Sequence, residues 1–377
     1  MRTNSGPGLS PSTLPRGNLK IFSVPIFFTQ SPSAFHGQTS STFRRIFNPT
    51  FPSNTNRRFS MFIPTIPLSG FFPGSTSEIQ KLAQGTSDLI STFSKKGGPD
   101  PTDYPILNTL LQQFSGENIY KIFSDDQLHS IRSAFGDALS PETIQGWAYH
   151  KPLGYAGDYQ IIEKIYNFHT SSNPHLAKWD KFFHTQKAPK AVRNRLSFFL
   201  DHLWKTKMEA PSTSHILNLA SGPGRDMYEA LKVLGRTKLE IDCVDQDIQA
   251  INYAKNLCRD FLNQIHFSHK NVFRFSPTKT YDMIWSAGLF DYFNDNIFKR
   301  ALKKFFTFLK PNGKMVIGNF TVENPSRGYM ELFKWDLFHR SNLHLRRLAQ
   351  ECGFTENQIH IEQEPEEVNL FLVITKN

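Results

Sequence analysis

From about Ser75 to Lys207, apolar residues recur at spacings of three and four. This predicts amphipathic helices over Glu78 to Phe93, Tyr104 to Phe114, Asp126 to Leu139, Asp158 to Phe168, Leu176 to Phe183 and Pro189 to Trp204. Pro-Asp-Pro at 99–101, Ser140-Pro141 and Asn173-Pro174 punctuate them, and Pro189 suits the first turn of its helix. Beyond Lys207 the pattern changes. The stretch His215 to Asp226 reads as a buried strand that runs into a glycine turn and then a helix. Further apolar runs at Leu239 to Val244, Ile265 to His269, Tyr281 to Ser286 and Gly313 to Phe320 predict four more strands, the last after the turn Lys310-Pro-Asn-Gly313. A loop at Val322 to Arg327, helices over Tyr329 to Phe338 and Leu343 to Cys352, and strands Gln358 to Glu362 and Asn369 to Ile374 complete the chain. Strands alternating with helices argue for a doubly wound α/β sheet, here preceded by a helical cap.

The glycine turn narrows the ligand. Gly222 and Gly224 allow a tight turn and close approach of backbone to ligand, and the helix that follows offers unpaired N–H groups. A dinucleotide fingerprint would place a third glycine at position 227, where this chain has Met227, so NAD is disfavoured. The second strand ends in Asp245, placed to accept hydrogen bonds from ribose hydroxyls. A nucleoside cofactor without a diphosphate fits both observations.

These elements resemble the class I S-adenosylmethionine-dependent methyltransferases. The likeness rests on the turn at 222–224, Asp245, Asn271-Val272 after the third strand, Tyr281 to Ser286 as the fourth and Gly313 to Phe320 as the fifth. It implies a class I methyltransferase Rossmann-like sheet, mostly parallel with a closing antiparallel strand, and S-adenosyl-L-methionine as cofactor. Cofactor contacts then fall on Ala220, Ser221, Gly222, Pro223, Gly224, Asp226, Asp245, Gln246, Asn271, Val272, Ser286, Ala287 and Gly288. Plainer uses stay open: Asp226 complements a helix dipole, Asp245 caps a helix, and Asn271 sits in a surface turn.

Three further segments narrow the likeness. They are Lys151-Pro-Leu-Gly-Tyr-Ala-Gly-Asp-Tyr159, Ser286 to Tyr292, and Asn319 to Glu331. With Trp335, Leu337, Arg340 and the ending Glu364-Pro365 to Asn369–Leu372, they resemble bacterial extracellular-factor 3-hydroxypalmitic acid methyl ester biosynthesis proteins from about Gly146 onward. That likeness implies O-methylation of a carboxylate on a hydrophobic, fatty-acid-like small molecule. A carboxyl group titrates near ~4, so such an acceptor is already ionised and needs no general base, whereas an amine or hydroxyl acceptor would need one. Tyr155 and Asp158 would belong to a lid over the cofactor, or Asp158 would simply cap its helix. Asp291 and Tyr292 would orient the acceptor, or cap and pack. Arg327, Tyr329 and Arg340 are candidates to receive its carboxylate, with structural ion pairs as the alternative. The phenylalanines around 290–338 suit either an acyl pocket or plain core.

Charge modifies this picture only at the N-terminus. The 377 residues carry a net charge of +10, but Arg2, Arg16, Lys20, Arg44, Arg45, Arg57 and Arg58 lie within residues 1–60, which contain no Asp or Glu. The expected organisation is a disordered basic leader over 1–74, a helical cap over 75–207 and a cofactor-binding domain over 208–377. The leader reads first as an upstream stretch before a true start at Met61, next as a dispensable disordered tail, and last as a targeting segment; its apolar patch Ile21 to Phe28 is too short to span a membrane. A nucleic-acid-binding protein is the rival from another class, and methylation of another small molecule or a protein is the rival within enzymes. Three cysteines without a Cys-x-x-Cys spacing, and histidines without ligand spacing, predict no disulfide framework and no metal. A cytoplasmic location is expected.

Overall fold

Side-chain caps mark where the first helices begin. Ser75 opens α1 (Thr76–Lys95) with a capping box in which its Oγ accepts from the Glu78 amide while the Glu78 carboxylate accepts from the Ser75 amide. The computed structural model describes residues 75–114, 118–209, 212–235 and 238–377; the basic leader, its apolar patch and Met61 lie outside the described residues. After α1 come α2 (Tyr104–Gln112), α3 (Ile119–Ile122), α4 (Asp125–Ser133), α5 (Ile144–His150), α6 (Tyr159–Tyr166), α7 (Pro174–Thr185) and α8 (Lys187–Glu209). Helices α3 and α5 are absent from the sequence reading because four and seven residues are too few to show a period. The predicted helix Asp126 to Leu139 is α4 followed by a separate 3-10 turn at Gly136–Leu139.

The second half contains β1 (Ser214–Leu219), α9 (Arg225–Leu234), β2 (Leu239–Asp245), α10 (Ile248–Leu257), β3 (Ile265–His269), β4 (Tyr281–Ser286), α11 (Asp295–Phe306) and β5 (Leu309–Phe320). It ends with α12 (Arg327–Leu332), α13 (Asn342–Glu351), β6 (Ile359–Gln363) and β7 (Asn369–Thr375). The seven strands form one sheet in the order β3-β2-β1-β4-β5-β7-β6. Strands β1 to β5 are parallel to one another, and β7 runs antiparallel to both β5 and β6. This is the class I Rossmann-like arrangement with a closing antiparallel strand. The order reverses between β1 and β4, so a crevice opens at their carboxyl ends, where open α/β sheets hold ligands.

Alternation along the strands supplies both faces. In β1, Ile216 packs in the core shared with α8 and α9, while Leu217 and Leu219 pack in the core shared with α11 and α13. Helix α8 links the layers: Ala188, Ala191 and Val192 belong to the helical core, and Phe199 and Leu203 to the sheet face, where neighbouring Phe198 stacks on Phe371 at 4.0 Å. Helix α12 leaves the sheet and enters the helical core, where Phe333 at its end and Trp179 flank Phe135 with ring centroids 5.0 Å apart in each pair. The predicted helix Tyr329 to Phe338 therefore stops early. Lys334 takes a left-handed φ of 57°, and the Trp335 amide turns back to the Met330 carbonyl at 2.9 Å. Among the described residues, no helix is long and apolar enough to cross a membrane.

A buried ion pair ties the two halves. Arg225, first residue of α9, donates to Glu163 of α6 through Nε at 3.0 Å and Nη2 at 2.5 Å, and the Tyr253 hydroxyl adds a third hydrogen bond at 2.8 Å. Removing one partner strands the other charge in a low-dielectric setting. Arg225→Met is expected to lower unfolding stability by about 3–5 kcal/mol. Urea titration checks this, and adding Glu163→Leu to the variant should recover part of the loss.

Candidate active site

The crevice beyond β1 and β4 is a cleft of about 350 Å³, within the roughly 300–1,000 Å³ typical of small-molecule sites. Its floor is the turn from β1 into α9. Ala220, Gly222 and Gly224 take left-handed φ values of 54°, 53° and 72°, which compress the turn and swing its amides round. Ala220 is the non-glycine of the three and carries strain of order 1–3 kcal/mol. A Cβ at Gly222 would meet nothing within 4 Å, so the space before it is open, whereas one at Gly224 would lie 3.1 Å from Ala254 Cβ. Gly224 thus serves the packing of α9 on α10. Met227 points under α9 and is fully buried.

Asp245 at the end of β2 is the electrostatic centre of this floor. Its Oδ2 accepts from the Gly222 amide at 2.8 Å and its Oδ1 from the Asp247 amide at 2.9 Å. Burial pushes its carboxyl above the ordinary range, against the pull of the Asp247 and Gly222 amides. Each oxygen keeps a lone pair for a further donor. Gln246, Asn271 and Val272 continue the wall, with Asn271 Nδ2 donating to Gln246 Oε1 at 3.0 Å and Asn271 Oδ1 accepting from the Phe273 amide. Across the cleft lie Ala287 and Gly288 after β4, then Asp291 and Tyr292. Asp291 is almost fully buried and its Oδ1 accepts from the Phe320 amide at 2.7 Å; burial pushes its carboxyl up to about 6. Asp226 in the first turn of α9 lines the same cleft beside the Trp285 indole, whose Nε1 donates at 3.4 Å. The segment before α6 lies across the opening: the Tyr155 hydroxyl donates to Asp247 Oδ2 at 3.1 Å, and Gly157 sits against the Tyr292 hydroxyl, which accepts from Trp335 Nε1 at 3.2 Å.

Several residues singled out in the sequence lie elsewhere. Asp158 is fully buried behind the cleft, where it accepts from the Gln160 and Ile161 amides and from Trp147 Nε1; it caps α6. Ser286 points into the sheet and donates to the Leu219 carbonyl at 3.0 Å. Arg327 pairs with Glu331 at 2.8 Å, one turn along α12. Arg340 is buried, with its donors spent on Asp295, Asn319 and the carbonyls of Phe290, Phe293 and Phe338. None of these four side chains lines the cleft. Tyr329 lines a second, apolar pocket, its hydroxyl hydrogen-bonded to Gln145. Phe290, Phe298 and Phe305 are core, whereas Phe293 and Phe320 reach the cleft wall.

Sequence reasoning missed Tyr159, Ile162 and Tyr166 of α6, Val192 and Arg195 of α8, and Trp285 of β4, all of which line the cleft. For Arg195 a signal existed. Ala188, Val192, Arg195, Phe199 and Leu203 fall at helical spacing on the buried stripe of α8, and a charged residue on such a stripe calls for a partner.

The floor suits a nucleoside bearing a short polar tail. Ser221 Oγ is buried and has no hydrogen-bond partner, Asp245 holds spare acceptor capacity, and Gly222 opens on free space. Residues 216–313 match the protein family described as "Methyltransferase domain". No curated protein matches the chain. Among solved structures, a "possible exported protein" from Bordetella parapertussis is similar in fold, with 16% identity and a TM-score of 0.52 over 80% of this chain and 99% of that one. Magnesium protoporphyrin IX methyltransferase from Synechocystis PCC 6803, solved with bound SAM, aligns at 10% identity and a TM-score of 0.38 over 50% of this chain and 83% of its own. The 1,6-didemethyltoxoflavin-N1-methyltransferase of Burkholderia thailandensis aligns at 16% identity and a TM-score of 0.38, over 50% and 78%. On the domain match and the order of the sheet, residues 216–313 form a methyltransferase domain within a sheet of class I order.

Proposed function

We propose that this methyltransferase esterifies the carboxylate of a hydrophobic, fatty-acid-like acceptor. The observation that carries the reading is the wall opposite the glycine turn. Val192, Phe320 and Trp335 line the cleft and are shared with a small adjoining pocket of about 20 Å³, lined mostly by apolar side chains that include Ile165, Phe183, Met330 and Phe333. An apolar acceptor gains by leaving water along such a surface. The narrower resemblance from Gly146 onward points to the same acceptor class. Nothing in the reading calls for a nucleic acid, because most of the net positive charge lies in residues 1–60.

When bound, S-adenosylmethionine supplies a methyl group on a sulfonium for in-line displacement. The chain's own part is to hold the two reactants in line and keep water out. Asp245 accepts from the ribose hydroxyls, the Ala220 to Pro223 backbone and Ser221 Oγ take the polar tail, and Asn271 and Val272 meet the base. Tyr155 closes the roof above Asp247, and Tyr292 with Trp335 excludes solvent at the acceptor side. An ionised carboxylate acceptor asks for no proton transfer.

One observation favours a second reading, in which the acceptor is an amine or hydroxyl. Asp291 is a buried carboxyl in the cleft wall, pushed up to about 6, and would serve as general base. The two readings separate by pH. With Asp291 as base, turnover rises with pH through about 6 and collapses in Asp291→Asn; with a carboxylate acceptor, Asp291→Asn keeps most of the activity and no such limb is seen. Stability supplies an independent check on Asp291 itself. Its folded carboxyl binds its proton more tightly than the unfolded one, so its contribution declines as pH rises from about 4 to about 6. The unfolding free energy of Asp291→Asn relative to the parent, read from urea titrations, should improve across that window by on the order of 2–3 kcal/mol.

Calorimetry with S-adenosylhomocysteine tests the cofactor assignment. Asp245→Ala is expected to weaken binding by roughly 1.5–3 kcal/mol, the scale of hydrogen bonds to a charged group; unchanged affinity would remove Asp245 from the ribose. Mass spectrometry of products from a panel of fatty acids tests the acceptor. Methyl esters are the expected product, and methylation confined to amines or hydroxyls would overturn the reading.

A further inference from the structure

Arg195 of α8 has no role in the assignments above, yet its setting is unusual. It is 6% exposed and is the one cationic side chain lining the cleft among the described residues. Its Nη1 donates to the Ala287 carbonyl, and its Nε reaches the Val192 carbonyl at a long 3.5 Å. Among the described residues no carboxylate forms an ion pair with it. Asp226 and Asp291 face it across the cleft and feel its charge without touching it, being engaged with Trp285 Nε1 and the Phe320 amide. Gly288 makes room for the guanidinium, since a Cβ there would lie 3.2 Å from Nη1.

Removing a guanidinium from water costs several kcal/mol unless an anion or a full set of acceptors replaces the lost hydration. One firm carbonyl contact does not replace it. The other arginines inside the protein are more fully matched: buried Arg340 engages Asp295, Asn319 and three carbonyls, buried Arg132 engages two carbonyls, and half-buried Arg225 engages two carboxylates. Arg195 lines the cleft, and its Nη2 has no hydrogen-bond partner among the described residues. A planar fork of two N–H groups matches a carboxylate with both oxygens engaged.

We propose that Arg195 is the carboxylate receptor of this cleft, a positioning residue that binds a ligand carboxylate through its free guanidinium edge. This rests on the cofactor and acceptor reading above, which places two carboxylates in the cleft: the one on the amino-acid tail of the cofactor and the one on the acceptor. The chemistry is shared, and the source is decided by experiment. Receipt of the cofactor's carboxylate aligns the sulfonium; receipt of the acceptor's aligns the nucleophile.

The test is isothermal calorimetry with four probes on the parent and on Arg195→Gln and Arg195→Lys. S-adenosylhomocysteine and hexadecanoate carry the carboxylate; 5′-methylthioadenosine and hexadecanamide are their counterparts without it. Expected is a tenfold or greater loss in Arg195→Gln for one of the two acids, with its counterpart unchanged and Arg195→Lys in between. A loss confined to S-adenosylhomocysteine assigns the cofactor's carboxylate, and one confined to hexadecanoate assigns the acceptor's. Equal affinity for both acids in variant and parent overturns the proposal, as does an equal loss for acid and counterpart. Should hexadecanoate fail to bind the parent, the fatty-acid reading falls while S-adenosylhomocysteine still decides Arg195. Should Arg195→Gln fail to fold, the Lys variant carries the same comparison, since it keeps the charge and loses the fork.

Discussion

The joint between Glu163 and Arg225 sets the geometry on which the cleft depends. Arg225 follows directly on the left-handed turn that forms the floor, and Glu163 lies on α6, whose Tyr159, Ile162 and Tyr166 form a wall. Holding these two side chains together therefore fixes how far the wall stands from the floor. A hydrophobic contact would set the distance loosely. A two-pronged ion pair, with the Tyr253 hydroxyl on the same carboxylate, sets both distance and angle. The helical half is in this sense part of the binding site, and α12 reinforces the connection by burying Tyr329 and Leu332 in the helical core.

The sheet was legible because its strands are short apolar runs bounded by turns, and the period of a buried strand leaves little choice of face. The turn from β1 into α9 was legible because a strand leading into two glycines and a helix is a distinctive sequence pattern. What stayed hidden was the distribution of partners. Asp158 and Ser286 are residue types that bind ligands or satisfy backbone with equal ease, and only the fold reveals Trp147 beside one and the Leu219 carbonyl beside the other. Arg327 and Arg340 stand in the motif-bearing segments, while Arg195 stands in an ordinary helix upstream. Sequence order says nothing about which guanidinium already has an acid.

Among the described residues, Arg132 and Arg340 serve as struts. Arg132 of α4 reaches the Leu332 and Glu331 carbonyls at 2.7 and 3.3 Å, closing the C-terminal end of α12. Arg340 gathers the segment after β4, the end of β5 and the run following α12 around one guanidinium. These contacts explain how irregular segments near the cleft keep their shape without regular hydrogen-bond ladders. They also give Arg195 its contrast: the same chemistry, placed where its neighbours leave part of it unmatched.

The roof is built on a different scale of energy. Tyr155 reaches Asp247 through one partly exposed hydrogen bond, worth about 0.5–1.5 kcal/mol net, while Asp158 anchors the far end of the same segment inside the protein. The weaker of the two contacts is the one at the mouth of the cleft, so the Tyr155 end of the segment is the end that costs least to release.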